Sequence, residues 1–174
     1  ISITYLMAVS LVLTGPLQLM LTRFIADRLY EKHEEKVLPN LTGAIFVVVA
    51  MSGTLALICL AYLFTGSVLY RLLMLSGLVI LSTIWIVVIV LSGLKAYRAI
   101  LLAFLLGYGI TVLVAMELGE FGLEGLLFGF ILGHSVLLFM LLVVVFNSYS
   151  SDTLIAFDFL DKNQIYPSLV ITGL

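Results

Sequence analysis

TGPLQLMLTRFIADRLYEKHEEKVLPN, residues 14–40, is where a long apolar run gives way to the densest charge in the chain. Four of the eight Lys and Arg residues (Arg23, Arg28, Lys32 and Lys36) fall inside it. Residues 1–22 before the charge cluster and 42–64 after it are apolar. A membrane-spanning helix needs about 20 mostly apolar residues, so the charged part reads as the watery link between two spans.

Working outward, composition agrees. The mean hydropathy is +1.29, 63% of residues are hydrophobic and 10% charged, against about 25% charged in a soluble domain. The chain reads as an integral membrane protein. Its single cysteine, Cys59, excludes an internal disulfide framework and a cysteine-rich metal site. The chain opens inside an apolar run with no signal peptide and closes on YPSLVITGL as another run begins. We read it as a piece of a longer polypeptide.

Five runs can span: 1–22, 42–64, 72–94, 99–117 and 123–146. They carry Asp, Glu, Lys or Arg only in a terminal turn, and none shows the period-two alternation of a barrel strand. The fold class is therefore an all-α polytopic bundle with five full spans, and the start of a sixth near Pro167, a residue suited to a first helical turn. The short connections favour antiparallel chain neighbours. Seven of the eight cations lie on one side, in 23–41, 94–98 and 147–165; Arg71 alone lies on the other, with Glu117, Glu120 and Glu124. By the positive-inside rule the first span runs from outside to cytoplasm. The three glutamates read as a solvated outer turn, with a cation funnel as the alternative.

Several residues inside the spans bear on function. Ser10, Thr14, Gln18 and Thr22 recur every four residues and share a helix face. Pro16 sits within that stretch; it removes one backbone hydrogen bond and kinks the helix, and nearby hydroxyls can re-satisfy the freed carbonyl. The face either lines a hydrated path for a polar substrate or forms hydrogen-bonded packing between helices. Ser82, Thr83 and Trp85 could line a path but suit packing better. In the fourth span Ala103, Gly107, Thr111 and Ala115 form a small-residue stripe, with Tyr108 beside it. In the fifth, Gly125, Gly129 and Gly133 form two overlapping GxxxG units, a groove for another backbone. His134 follows them. A titratable group within a span is a functional candidate, and the alternative is a neutral histidine bonded across helices. We take Thr14, Gln18, Trp85, Tyr108 and His134 as candidate path residues.

Beyond the first span, Asp27, Glu31 and Glu35 make an acidic stripe beside a basic one of Arg28, Lys32 and Lys36. Arg28–Glu31 and Lys32–Glu35 are spaced to pair, for about 0.2–0.5 kcal/mol each. The segment is either a solvated helix extension or a docking surface for a cytoplasmic partner, in which Arg23, Asp27, Arg28, Lys32 and Lys36 would take part. P-loop, HExxH and GxSxG motifs are missing, and His134 has no carboxylate or cysteine at ligand spacing. We expect no enzyme activity, no catalytic residue, no cofactor and no metal. A membrane acyltransferase built on His134 lacks a second catalytic group.

The block ITYLMAVSLVLTGPLQLMLTRFIADRLYEKHEEKVLPNLTGA resembles the PelG-type exopolysaccharide exporters of bacteria. The likeness continues through IWIVVIVLSGLKAYRAILLAFLLGYG, FGLEGLLFGFILGH and FDFLDKNQIYPSLVITGL. The resemblance implies a two-lobed protein of about a dozen helices in the multidrug/oligosaccharide/polysaccharide flippase superfamily. Residues 1–146 would then be helices two to six of the N-terminal lobe, 147–165 a cytoplasmic connector between lobes, and 166–174 the start of the next span. It implies export of the Pel polysaccharide, an amino-sugar polymer, across the bacterial inner membrane. It further implies partners: a cytoplasmic glycosyltransferase and two membrane accessory subunits of the synthase complex, one of which senses cyclic di-GMP. The competing expectation is a non-transporting membrane scaffold of a polysaccharide synthase.

Overall fold

A computed structural model describes residues 2–62, 67–149 and 153–161. These residues form five α-helices: α1 (Ser2–Tyr30), α2 (Val37–Tyr62), α3 (Val68–Gly93), α4 (Tyr97–Leu118) and α5 (Gly122–Ser148). Single 3-10 turns lie at Glu34–Lys36, Gly119–Phe121 and Asp158–Leu160. At about 1.5 Å per residue each α-helix exceeds the roughly 30 Å bilayer core. Counted as uninterrupted helical segments, four are long and apolar enough to cross a membrane: Ile3–Tyr30, Glu34–Cys59, Val68–Gly93 and Tyr97–Ser148. The last contains both α4 and α5, joined through the Gly119–Phe121 turn. The expected count of five spans and the start of a sixth is thus met only in part; residues 166–174, where the sixth would begin, lie outside the described residues.

Helix ends depart from the sequence reading for local reasons. The first helix continues past residue 22 to Tyr30, because no Gly or Pro intervenes and Phe24 and Ile25 give the charged extension a buried side. It ends where Lys32 adopts a left-handed φ of 61°; His33 N–H donates to Arg28 C=O at 2.9 Å and Lys32 N–H to Leu29 C=O at 3.2 Å. That double bond is the Schellman closure. Lys95 repeats it after α3, with φ 58° and bonds Ala96 N–H to Leu91 C=O and Lys95 N–H to Ser92 C=O. Helix α2 begins at Val37 rather than 42, since Pro39 falls in the first turn, where its missing N–H is not needed. Ser67 caps α3, its hydroxyl accepting Tyr70 N–H at 3.0 Å. Between α4 and α5, Gly122 takes φ 72° and ψ −144°, a region open essentially to glycine alone.

Pairing of helices follows chain order only in part. The short connections favour antiparallel chain neighbours, and α4 does pack chiefly on α5 and α2 on α3, whereas α3 meets α4 little across the short 94–96 link. Helix α1, joined to α2 by the longer 23–41 connection, packs chiefly on α3. The reasons are steric and polar. Gly77 of α3 leaves room for Leu6 of α1, whose Cδ1 would stand 3.1 Å from a Cβ there. The α4–α5 pair closes on facing small residues. Helix α3 is the centre, packed on α1, α2 and α5 and buried along most of its length. Two core clusters result. One surrounds Leu6, Leu78, Leu127 and Phe130; the other joins Leu21, Phe24, Leu41, Val87, Leu141 and Phe159.

Candidate functional site

Three groups of polar residues interrupt this apolar bundle. The first is the α1 stripe, and it is largely self-satisfied. Trp85 of α3 donates its indole N–H to Ser10 Oγ at 3.0 Å, and Ser10 donates to Met7 C=O at 2.9 Å. Thr14 donates to Ser10 C=O at 2.8 Å and accepts the Gln18 amide N–H at 2.7 Å. Thr22 donates to Gln18 C=O at 2.7 Å. None of these acceptor carbonyls is Val12, the one that Pro16 leaves without its helical donor. Ser10 and Thr14 are buried, Gln18 is half-buried and Thr22 exposed. Thr14, Gln18 and Trp85 are therefore brought together at the α1–α3 interface through Ser10. Among the described residues, Gln18 keeps its side-chain carbonyl without a partner, so it has hydrogen-bonding capacity left for a ligand.

The second group is on α4 and α5. His134 is 3% exposed, and its Nδ1 lies 2.8 Å from Phe130 C=O. A carbonyl can only accept, so Nδ1 carries the proton and Nε2 presents a lone pair in the neutral ring. Nε2 is buried with no hydrogen-bond partner, as is Ser82 Oγ on α3. Tyr108 meets the imidazole edge-on at 5.5 Å, while its side chain remains 44% exposed. No hydrogen bond or ring contact among the described residues joins Tyr108 and His134 to the Thr14, Gln18 and Trp85 group. The candidate path residues form two clusters, not one lining.

The glycine seam of α5 lies directly against α4, beside the second cluster. A Cβ on Gly133 would meet Thr111 Oγ1 at 1.9 Å and Gly107 C=O at 2.6 Å; one on Gly129 would meet Ala115 N at 2.7 Å. At Gly125 it would meet the carbonyl of Leu118 at 1.9 Å. The small stripe of α4 thus faces the GxxxG units of α5, backbone against backbone.

The third group lies at the densely charged end of the bundle. Arg28 pairs with Glu31 at 2.5 Å and lies over the Phe24 ring at 5.2 Å. The spacing-based Lys32–Glu35 pair is absent among the described residues. Glu35 instead takes His33 at 2.9 Å, because the Schellman turn at Lys32 carries that lysine off the helix face. A backbone N–H bond and the His33 ring hold the Glu35 carboxyl below the ordinary value. Arg23 and Asp27 are half-buried and form no ion pair with each other among the described residues; Arg23 Nη1 is buried without a partner. Lys36 ends the 3-10 turn and borders two cavities of about 520 and 450 Å³. On the opposite face of the bundle, Ser67 donates a short hydrogen bond to Glu124, so that glutamate is tied to the α3 cap while Glu117 and Glu120 are exposed.

Sequence reasoning missed the most specific polar arrangement. Asn40, fully buried in α2, donates to Lys36 C=O at 3.0 Å and to an Asp158 carboxylate oxygen at 3.3 Å. Its own side-chain oxygen accepts Phe159 N–H at 3.2 Å. Ala156 N–H donates to Pro39 C=O at 3.0 Å, and its carbonyl fills the space a Cβ on Gly43 would need, 2.0 Å away. Phe159 is 1% exposed, within the larger of the two core clusters, a burial worth about 1.5–3 kcal/mol. The sequence signal was an Asn and a Gly three residues apart at the start of an apolar helix, and an aromatic between aspartates in FDFLD.

Comparison with known proteins adds to this geometry. No curated protein and no solved structure matches the chain. Over its whole length, residues 1–174, it matches the family PelG, described as "Putative exopolysaccharide Exporter (EPS-E)". An all-helical bundle of membrane-length apolar segments, with polar groups held inside it and a match from end to end, belongs to the PelG family of exopolysaccharide exporters.

Proposed function

We propose that the chain is part of an inner-membrane exporter that moves the Pel polysaccharide, an amino-sugar polymer, across the cytoplasmic membrane as it is made. In this reading the described helices belong to one lobe of a two-lobed flippase-like bundle, and 147–165 connects that lobe to the next. The exporter works with a cytoplasmic glycosyltransferase and membrane accessory subunits, and the charged end of α1 with Arg23, Asp27, Arg28, Lys32 and Lys36 is the surface offered to them. The observation that carries the reading is the whole-chain match to an exporter family. Gln18 adds physical support, since a half-buried amide with an unused acceptor suits sugar hydroxyls in a low-dielectric passage. The test is secreted polymer per copy of membrane-inserted protein, in cells making the full-length protein with Gln18→Leu. A fall at normal protein level supports a path along α1; an unchanged ratio removes Gln18 from it.

A scaffold reading, in which the chain holds a synthase without transporting, has one observation in its favour. Most of the α1 stripe is spent on hydrogen bonds within α1, and the Trp85 bond to Ser10 ties it to α3. Cells lacking the protein separate the two readings. Polymer that accumulates in the cytoplasm points to lost transport, and polymer that is never made points to a lost scaffold.

A further inference from the structure

The segment after α5 is fastened to a helix pair far from it in sequence. Asn40 grips Asp158 and Phe159 across 118 and 119 residues, Ala156 is bonded to Pro39, and the absence of a side chain at Gly43 lets the Ala156 carbonyl settle against α2. The join is narrow. Two cavities border it, one of about 520 Å³ lined by Phe24, Arg28 and Asp161 and one of about 450 Å³ lined by Glu35, Pro39 and Thr153, with Lys36 and Asp158 lining both. Apart from Phe159, the side chains of 155–160 are exposed or half-buried, and a segment held at so few points opens more readily than the helices it lies on. Every polar group in the join also lies at the charged, water-facing end of the bundle, so water can replace each hydrogen bond when it opens. A permanent joint between helices would be continuous and closely packed, as the α4–α5 seam is.

We propose that residues 155–160 are a releasable latch: docked on the start of α2, it holds the cytoplasmic ends of α1 and α2 to the chain leaving α5, and it is released in each transport cycle. Asn40 is the clamp, Gly43 the seat and Phe159 the plug. The role in transport rests on the exporter reading; the latch itself does not.

Two measurements in the full-length protein, carrying Cys59→Ser, test it. In the first, Pro39→Cys and Ala156→Cys are combined and the pair is oxidised in the membrane. Bridging is expected to lower secreted polymer per copy by about tenfold or more, because it removes the released state from the population, and reduction is expected to restore it. Bridged protein that secretes at the unbridged level overturns the proposal. In the second, Phe159→Cys is labelled with an impermeant maleimide from the cytoplasmic side, against Phe157→Cys as the exposed reference. Labelling at 159 is expected to be slow but complete, and about tenfold faster with Asn40→Ala, the ratio for losing one or two hydrogen bonds. Labelling as fast as at 157 overturns the docked state; none at all overturns release. If the chain exports nothing, secretion is insensitive to the bridge and also to deletion of the protein, while the labelling result still decides whether the latch opens.

Discussion

Gly129→Leu is expected to split the α4–α5 pair. The added Cβ alone would lie 2.7 Å from Ala115 N and 2.9 Å from Ala115 Cα, against about 3.5–4.0 Å for a comfortable carbon contact. Those atoms are backbone and cannot rotate away, so the helices must part by about 1 Å. A radial gap of that size forfeits about a quarter to a half of each dispersion contact along the seam. The seam is as tight at Gly107, where a Cβ would meet Leu137 Cβ at 2.6 Å, and at Gly133, where one would meet Thr111 Oγ1, so the loss spreads along it. Overpacking typically costs about 1–3 kcal/mol. Gly129→Ala should fall in that range and Gly129→Leu at its top or above, a drop of about a hundredfold in the folded ratio for 3 kcal/mol. Gly109→Ala is the control: nothing lies within 4 Å of its Cβ, and a helical alanine gains about 0.5–1 kcal/mol over glycine. Thermal unfolding of the detergent-solubilised protein, read with membrane abundance, gives the order Gly109→Ala at or above the parent, then Gly129→Ala, then Gly129→Leu. If Gly129→Leu unfolds with Gly109→Ala, the close approach of α4 to α5 is wrong.

A cysteine replacing Glu35 should be labelled only from the cytoplasm and one replacing Glu120 only from outside; the opposite pattern reverses the charge-derived orientation. Gln18→Leu should lower secretion per copy while leaving unfolding temperature nearly unchanged, because the Trp85–Ser10 and Thr14–Ser10 bonds survive it; a stability loss of about 0.6–2 kcal/mol with secretion tracking abundance would make it packing glue. Lys32→Gly should raise the unfolding temperature slightly, since relief of about 1 kcal/mol of left-handed strain exceeds the roughly 0.3 kcal/mol of dipole interaction lost at an exposed helix end. A fall on that substitution would show that the Lys32 side chain makes a contact worth more than the strain.

How much was legible in the sequence divides along the range of the forces. The helical class and the apolar runs long enough to span were readable, because hydropathy acts on each segment by itself. The small-residue stripes on α4 and α5 could be seen as grooves, since their four-residue spacing is a property of one helix. Which groove met which was not written locally. Nor was the pairing of α1 with α3, where Leu6 enters the space at Gly77 and Trp85 reaches Ser10 across 75 residues. The fate of the charged segment also needed the folded chain: Lys32 was spaced to pair with Glu35, but the turn that ends α1 rotates it away and His33 takes its place. The Asn40 clamp lies furthest beyond reach. An asparagine in an apolar helix announces only that some partner must satisfy its amide; that the partners are Asp158 and Phe159 is decided by packing, because the chain between them must first return to the same end of the bundle.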